Sequence, residues 1–339
     1  MGRREERRLR KKKRNKRRLY TILILLLLAL GGVIIYIYQS MQVASESYND
    51  LDREKSELRE EAVALGKDPS SILVMGIENY EDPNSRGRTD TMMVLTFNPD
   101  DNTVKMLSLP RDTRVDIIGR GTKDKINHAH AFGGTEMAIE TVENFLDIPI
   151  DYYAKVDFDA FVNLVDLLGG ITVDVPFDFE QTTMPPDVRN VVFTEGQQTL
   201  DGEEALAFVR MRKADPRGDI GRTQRQQEAL RSLVDEAVKL RNVTKIDDAA
   251  EVVAENVETN VKISDGLSVF MGLRGFSSDN LESLSYDTNP QIIEGTSYEI
   301  PVEESVNDAI KELKQHLKLE VETNNSSTST DNGAEDNNI

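Results

Sequence analysis

Three short apolar runs decide the fold: residues 71–76 (SILVMG), 91–97 (TMMVLTF) and 104–109 (VKMLSL). Each run has the length of a β-strand, and the second is apolar enough to be buried on both faces of a sheet. Asp101 and Asn102 lie between the second and third runs and have the composition of a hairpin turn. The runs therefore predict three strands, with a tight turn between the last two.

Helical segments follow these strands along the chain. Apolar residues at helical spacing predict helices over residues 135–146, 159–168 and 223–240, and two glycines end the second helix. Further strands are predicted at residues 171–175 and 205–209. Strands that alternate with helices predict an α/β fold, an α-β-α sandwich in which helices flank one mixed central sheet within one domain.

The N-terminus combines a basic run with an apolar one. Residues 1–18 carry 12 Lys/Arg against 2 Asp/Glu, and residues 20–38 contain no charge. Such a stretch, at ~1.5 Å per residue, crosses nearly all of a ~30 Å hydrocarbon core. Because positive charge stays on the cytoplasmic side, we predict a single-pass type II membrane protein with a cytoplasmic tail at 1–18, a transmembrane signal-anchor helix at 19–38 and the remainder extracytoplasmic. A cleaved signal peptide is the alternative.

Charge and composition exclude several classes of function. Of the 41 Lys/Arg and 60 Asp/Glu in the chain, 29 and 58 lie outside the basic tail, and so acidic a body would repel the phosphates of DNA or RNA. The chain has no Cys, which excludes thiol nucleophiles and disulfides, and its three His offer little for a metal site. We therefore predict that its partners include the membrane but no nucleic acid.

Two polar segments bracket the predicted domain, which covers residues 69–318. Residues 39–68 are interpreted as a stalk that spaces the domain from the bilayer, with part of the domain's first helix as the alternative. Residues 319–339 are poor in apolar residues and rich in Asn, Ser, Thr and acid, which predicts a disordered tail.

Arginine and acidic side chains recur where the predicted strands end. Guanidinium groups pair bidentately with phosphate oxygens and stay charged at physiological pH, so a cluster of them is what a bound diphosphate requires. Each Arg taken singly is more typical of a solvated surface charge, but several together in an acidic body favour a phosphate site. The residues concerned are Glu78, Arg88, Asp90, Arg111, Lys125, Arg210, Arg212, Asp219, Arg222 and Gln226.

Two of these acidic residues predict a metal site. Glu78 and Asp90 lie beside the Arg cluster and would repel a diphosphate unless a divalent cation lay between them. Mg²⁺ binds one or two carboxylates together with substrate phosphates, so we predict Mg²⁺ here, with Mn²⁺ as a substitute. For His128 and His130 we expect packing or hydrogen bonding to a loop rather than metal ligation.

Six segments, in this order and behind one N-terminal anchor, resemble the LytR-CpsA-Psr family of cell-wall ligases of Gram-positive bacteria. The resemblance covers roughly residues 70–240 and extends more loosely to about 318. The matching segments are 73–78 (LVMGIE), 88–94 (RTDTMMV), 107–113 (LSLPRDT), 125–134 (KINHAHAFGG), 156–171 (VDFDAFVNLVDLLGGI) and 206–227 (LAFVRMRKADPRGDIGRTQRQQ).

The resemblance implies a mixed sheet flanked by helices and a hydrophobic pocket for a polyprenyl chain. It also implies an activity: such proteins transfer an anionic glycopolymer, such as wall teichoic acid or capsule, from a polyprenyl-diphosphate carrier to a peptidoglycan sugar hydroxyl. Polyprenyl phosphate or diphosphate is released. A hydrolase of lipid diphosphates and a non-catalytic phosphate-binding wall or regulatory protein remain as alternatives.

By position, the resemblance also implies roles for the site residues. Arg111 and Arg222 would act in catalysis, Asp219 would act as a base or orient an Arg, and Glu78 and Asp90 would hold Mg²⁺. The family usually has Asp where this chain has Glu78, which supplies a carboxylate one methylene further out. The residues that would bind the diphosphate are Arg88, Arg111, Lys125, Arg210, Arg212, Arg222 and Gln226.

Overall fold

The three apolar runs form the centre of a six-stranded sheet in the computed structural model. The structure describes residues 51, 53–77, 87–184, 188–240, 257–262, 265–266, 269 and 276–320. Strands β1 to β14 span Ser70–Ile77, Thr89–Asn98, Thr103–Ser108, Arg114–Ile117, Thr122–Lys125, Tyr152–Asp157, Ile171–Val175, Phe179–Thr182, Asn190–Phe193, Gly196–Leu200, Val257–Thr259, Leu281–Leu284, Thr288–Ile293 and Thr296–Pro301. Helices α1 to α5 span His128–Leu146, Phe158–Leu168, Gly202–Arg210, Asp219–Leu240 and Glu303–His316.

The central sheet is mixed, as predicted. Its strand order is β11-β6-β1-β2-β3-β12, in which β6 is parallel to β1 and β12 is parallel to β3, while the other neighbours are antiparallel. The described residues also form four separate two-stranded ribbons: β4–β5, β7–β10, β8–β9 and β13–β14. The predicted strand at 171–175 is confirmed as β7, but it pairs with β10 outside the central sheet.

Alternate side chains of the central strands enter two different hydrophobic clusters. Leu73 and Val94 pack with α1 and α5, whose Val142 and Leu313 are fully buried. On the other face, the partly buried Val74 and the buried Met93 and Met106 pack against the partly buried Leu230 and Val234 of α4. Because successive side chains of a strand point to opposite faces, the apolar runs cover both faces and produce the predicted sandwich.

One predicted element has the wrong type. Residues 205–209 lie in helix α3, not in a strand, because a capping box begins the helix three residues earlier. The side chain of Asp201 accepts a hydrogen bond from Glu204 N, and the Glu204 side chain accepts one from Asp201 N. This reciprocal pair satisfies two helix N-terminal donors, and the acidic pattern Asp-x-x-Glu was its sequence signal.

Two predicted helices begin earlier than the apolar periodicity indicates. Helix α1 starts at His128 and is interrupted at Gly134, whose φ of 75° is open to glycine but strained for other residues. Helix α4 starts at Asp219 rather than at residue 223. The first turn of α4 therefore contains both Asp219 and Arg222, two of the predicted site residues.

The described part of the predicted stalk contacts the domain at the edge where β1 and β6 begin, which we call the far edge. The Arg53 guanidinium forms two hydrogen bonds with the Glu143 carboxylate, at 2.8 and 3.0 Å. Arg59 pairs in the same bidentate way with Asp151, at 2.9 and 2.6 Å. Residues 53–59 are thus fastened to the domain by two guanidinium–carboxylate forks.

Other predictions fall on parts of the chain outside the described residues. These are the cytoplasmic tail at 1–18, the transmembrane helix at 19–38, residues 39–50 and 52 of the predicted stalk, residues 321–339 of the predicted disordered tail, and Glu78. Within the described ranges, none of the helices has the length and apolar character needed to span a bilayer.

Candidate functional site

The predicted site residues converge on one edge of the central sheet, which we call the site edge. Strands β1, β3 and β6 end here, at Ile77, Ser108 and Asp157, and β2 begins here at Thr89. The site edge is opposite the far edge, because β1 runs from one to the other. In open α/β sheets, ligands bind outside the carboxyl ends of the strands.

The loop after β3 supplies the first part of the site. Arg111 Nη1 donates to Asp90 Oδ1 at 2.7 Å, so an ion pair links the start of β2 to the loop after β3. Asp112 lies 4.0 Å from Arg111 Nε and accepts a hydrogen bond from Lys125 Nζ at 2.7 Å. The side chains of Arg111 and Asp90 are each 25% exposed, so a ligand can reach them.

The first turn of α4 supplies the second part. Asp219 lies between two guanidinium groups: Arg212 Nη2 is 2.8 Å from Asp219 Oδ2, and Arg222 Nη2 is 3.2 Å from Asp219 Oδ1. The acidic side chain at the helix N-terminus is favourable because the macrodipole is positive there. Arg222 is nearly buried while Arg212 is half exposed, so the two guanidiniums hold Asp219 from the inner and outer sides.

Charge interactions join these two parts into one site. Burial lowers the pKa of Arg222 and the nearby charge of Arg111 lowers it further, against the opposing charge of Asp219. Burial also acts to lower the pKa of Arg111, but the hydrogen bond and charge of Asp90, with other nearby aspartates, raise it overall. Both guanidiniums remain charged at any physiological pH.

Two buried guanidinium nitrogens at the site, Arg111 Nε and Arg222 Nε, have no hydrogen-bond partner among the described residues. A buried donor left unpaired costs ~1–3 kcal/mol, so such groups in a native protein call for a ligand or solvent. A diphosphate carries many acceptor oxygens and would satisfy both Nε donors. The arrangement therefore fits the predicted diphosphate site.

The remaining predicted ligands lie around this centre. Arg88 is exposed and directly precedes β2, while the Arg210 guanidinium lies 4.7 Å from the Phe158 ring centroid, just after β6. Arg210 thus ends a helix rather than the predicted strand, yet still reaches the site edge. Gln226 is half-buried on α4, one turn after Arg222; the next residue, Gln227, donates to Ser108 Oγ at 3.0 Å.

A buried ion-pair network beside the site was missed by sequence reasoning. Arg225 follows Arg222 by three residues on α4, but it is 2% exposed and its Nη1 donates to Asp215. Arg217 also binds Asp215 through Nε and Nη2, both at 3.0 Å. A Cβ at Gly221 would lie 1.9 Å from Asp215 Oδ2, so glycine is required where α4 passes this carboxylate. Arg225 therefore holds α4 in place.

Both histidines of the 125–134 segment contact nearby polar groups, and the partner of His130 lies in a loop, as expected. His130 is buried with Nδ1 3.1 Å from Gly87 O, and His128 Nδ1 is 3.0 Å from Asp124 Oδ2. Across the described part of the chain, His, Asp and Glu side chains form no group of three that could hold a metal ion. Any metal at the site edge would therefore use two carboxylates at most from these residues, together with substrate oxygens.

Fold and site together define an α-β-α sandwich with a cluster of guanidinium groups at the carboxyl ends of its strands. The LytR_cpsA_psr family model matches residues 34–315, so the chain belongs to the LytR-CpsA-Psr family.

Characterised relatives and solved structures agree with this assignment. TagV of Bacillus subtilis, named a polyisoprenyl-teichoic acid–peptidoglycan teichoic acid transferase, is 44% identical over 85% of this chain and 75% of its own. TagU of Halalkalibacterium halodurans, with the same activity in its name, is 42% identical over 86% of this chain and 94% of its own. The crystal structure of B. subtilis TagV superimposes with a TM-score of 0.68, covering 75% of this chain and 99% of that one. A structure of TagT with bound octaprenyl pyrophosphate lipid is 31% identical, with a TM-score of 0.63 over 80% of this chain and 100% of its own.

Proposed function

We propose that this protein transfers an anionic glycopolymer of the wall teichoic acid type from a polyprenyl diphosphate to peptidoglycan. The observation that carries the proposal is the pair of buried Nε donors of Arg111 and Arg222 at the site edge, which have no hydrogen-bond partner among the described residues. Support comes from the transferase names of TagV and TagU and from the octaprenyl pyrophosphate bound by TagT.

The chemistry that fits this site is transfer of a phosphoryl group. A hydroxyl oxygen of the acceptor sugar attacks the phosphorus that bears the polymer, and the bond from this phosphorus to the bridging oxygen breaks. Polyprenyl phosphate leaves, the proton of the attacking hydroxyl passes to solvent or to the released phosphate, and the polymer keeps one phosphate in its new link to peptidoglycan. Negative charge grows on the departing phosphate oxygens, where Arg111 and Arg222 are placed to donate hydrogen bonds.

Asp219 has an orienting role in this proposal. Its carboxylate contacts Arg212 and Arg222 at 2.8 and 3.2 Å, so it fixes the direction in which Arg222 presents its remaining donors. Arg88, Arg210 and Gln226 surround the same edge and would contact the outer parts of the diphosphate. Lys125 pairs with Asp112, the residue after Arg111, so its positive charge would attract the diphosphate from behind this loop.

We include Mg²⁺ in the proposal, held by Asp90 and Glu78. The Asp90 carboxylate fits such an ion, because Arg111 binds its Oδ1 and not its Oδ2, and a quarter of the side chain is exposed. Mg²⁺ is commonly bound by one or two carboxylates plus substrate phosphates, and it would neutralise diphosphate charge when bound.

Removing the Asp90 carboxylate should abolish most of the dependence on Mg²⁺. In an Asp90→Ala variant with inorganic pyrophosphate present, we expect calorimetry to detect little Mg²⁺ binding beyond that of pyrophosphate alone, and the transfer rate to respond weakly to added Mg²⁺. Asp124→Asn is a suitable control, because Asp124 contacts His128 outside the proposed metal pair. Undiminished Mg²⁺ binding by Asp90→Ala would place the metal elsewhere.

The test of the function itself uses the part of the chain after residue 38, a lipid-linked donor and peptidoglycan oligomers. We expect a covalent conjugate whose mass includes one phosphate between polymer and peptidoglycan, together with released polyprenyl phosphate. Attack at the anomeric carbon would instead release polyprenyl diphosphate and give a conjugate lighter by that phosphate. Cleaved donor without conjugate would identify a hydrolase, and tight donor binding without cleavage would identify a phosphate-binding wall or regulatory protein.

Cell-surface placement is a further part of the proposal: a transmembrane helix at 19–38 with the catalytic domain outside the cell membrane. It is supported by the basic residues that precede the uncharged segment. A reporter fused after Ile339 that is active only outside the cytoplasm should therefore be active in intact cells. Its matched control, the same fusion without residues 1–38, should be inactive, and activity of a cytoplasm-only reporter on the full chain would refute the topology.

A further inference from the structure

The loop that carries Arg111 has no regular secondary structure, yet its backbone is fixed by two distant segments. Each of three consecutive carbonyl oxygens accepts a hydrogen bond from a backbone N–H elsewhere in the chain. The bonds run from Asn127 N to Arg111 O (3.3 Å), from Glu299 N to Asp112 O (2.9 Å) and from Ile126 N to Thr113 O (2.8 Å). Two of these donors precede α1, while the third belongs to β14 of the C-terminal hairpin.

A buried pair of hydroxyl groups adds a second link between the loop and the C-terminal segment. Thr113 Oγ1 lies 3.1 Å from the hydroxyl oxygen of Tyr286, two residues before β13. Thr113 is fully buried and Tyr286 is 8% exposed, with the ring of Phe145 edge-on at 5.8 Å. Burial raises the pKa of Tyr286, so its hydroxyl keeps its proton and stays a hydrogen-bonding group at physiological pH.

Arg111 depends on this support, because its guanidinium must do two things at once. Nη1 binds Asp90 at 2.7 Å, while the buried Nε has no hydrogen-bond partner among the described residues. A shift of the loop backbone would turn Nε away, even if the ion pair with Asp90 were kept. Misplacement of a catalytic group by ~1 Å can cost up to ~10²-fold in rate.

We propose that Tyr286 and the hairpin β13–β14 are positioning elements for Arg111, acting through the loop and not through contact with substrate. This inference rests on the proposed function for its catalytic readout. It assigns a role in the reaction to residues 286–301, which lie far along the chain from the Arg and acidic site residues.

The direct test removes one hydroxyl group. In Tyr286→Phe we expect kcat for transfer to fall about tenfold and KM for the lipid-linked donor to stay within about twofold, because orientation during the reaction suffers more than ground-state binding. The matched control is Tyr152→Phe, which also loses a partly buried hydroxyl; this group accepts from Leu65 N and donates to Val63 O at the far edge. We expect the control to keep the parent kcat.

A double-mutant cycle separates positioning of Arg111 from general damage. In an Arg111→Ala background, Tyr286→Phe should cause no further loss of kcat, since the group that it positions is already gone. The proposal is overturned if Tyr286→Phe alone stays within about twofold of the parent, or if it costs the same factor with and without Arg111.

Two further arms keep the test decisive. If Tyr286→Phe does not fold, Thr113→Val removes the other hydroxyl and should lose kcat, whereas Thr113→Ser keeps the hydroxyl and should retain it; equal activity of these two variants overturns the proposal. If the parent protein transfers nothing, the proposed function fails. The positioning role is then tested by NMR of the Arg111 side chain: its Nε–H resonance should shift in Tyr286→Phe and stay unchanged in Tyr152→Phe, and an unshifted resonance in Tyr286→Phe overturns the proposal.

Discussion

A folded Arg111→Ala variant is expected to transfer glycopolymer ~10²–10³-fold more slowly than the parent protein. Arg111 contributes a charged donor whose Nε has no partner among the described residues and whose Nη1 is tied to Asp90. Its hydrogen bonds to the diphosphate would strengthen as the leaving group gains charge, so the loss should appear mainly in kcat. The measurement is steady-state formation of the mass-defined conjugate.

Two comparison variants make this result specific. Arg111→Lys should recover only part of the rate, because an ammonium group cannot form the bidentate fork of a guanidinium. Arg189→Ala removes an Arg whose ion pair with Asp201 is exposed and lies at the start of α3, so its rate should equal that of the parent. The melting temperature of Arg111→Ala should change little because its side chain is part exposed. A folded Arg111→Ala protein with near-parent turnover would remove Arg111 from the mechanism.

Asp215→Asn is expected to lower the free energy of unfolding by about 3–5 kcal/mol. The asparagine keeps the shape of the side chain but leaves the buried charge of Arg225 without its anionic partner, and it loses the pairing with Arg217. Urea unfolding monitored by circular dichroism provides the measurement. In the control Asp100→Asn, the lost ion pair with Lys318 is exposed and should be worth at most ~1 kcal/mol. If both variants lose equally little, the Asp215 network does not stabilise the domain.

The same network predicts how stability depends on pH. Hydrogen bonds from Arg217, and then from Arg225, hold the pKa of Asp215 far below its ordinary value, against the opposing effect of burial. A lowered pKa in the folded state gives stability that is present above the unfolded-state pKa, about 3.9 for Asp, and is lost as pH falls toward the folded-state pKa. Part of the loss of stability below about pH 4 should therefore be absent in Asp215→Asn.

The sheet was predictable because its information is local. Residues of β1, β2 and β3 are apolar on both faces, and strand length and turn composition are read directly from consecutive positions. Residues 205–209 were wrongly predicted as a strand for the same reason, because five consecutive apolar or small residues are typical of a strand. The signal for a helix, the Asp201–Glu204 capping box, lies outside these five residues. The start of α4 was missed because its largely polar first turns carry no apolar period, and the start of α1 because two glycines, Gly133 and Gly134, follow it and the helix is interrupted at Gly134.

The site was predictable to the extent that strand ends determine it. Asp90 and Arg111 come together because β2 and β3 are antiparallel neighbours, so the start of one strand meets the end of the other. The role of Arg225 was not predictable, because its partner Asp215 lies in a loop and helical spacing alone placed it beside Arg222. The support of the Arg111 loop by Glu299 and Tyr286 joins residues far apart in the chain, and no periodic pattern records such a contact.

The forks of Arg53 and Arg59 at the far edge have a mechanical consequence for an enzyme anchored as proposed. The eight residues of β1 separate this attachment from the site edge by roughly 26 Å, at ~3.3 Å per residue. The N-terminal segment is thus attached to the end of the domain opposite the site edge. Leu51 packs against the core, so 12 residues, 39–50, separate it from the proposed helix, and a chain of that length spans at most about 43 Å. This is longer than β1, so a connection of this length would allow the site edge to face the lipid headgroups. In an enzyme anchored in this way, the length of the connection would therefore limit the distance from the bilayer over which one molecule can bind a donor and transfer its polymer to a glycan strand.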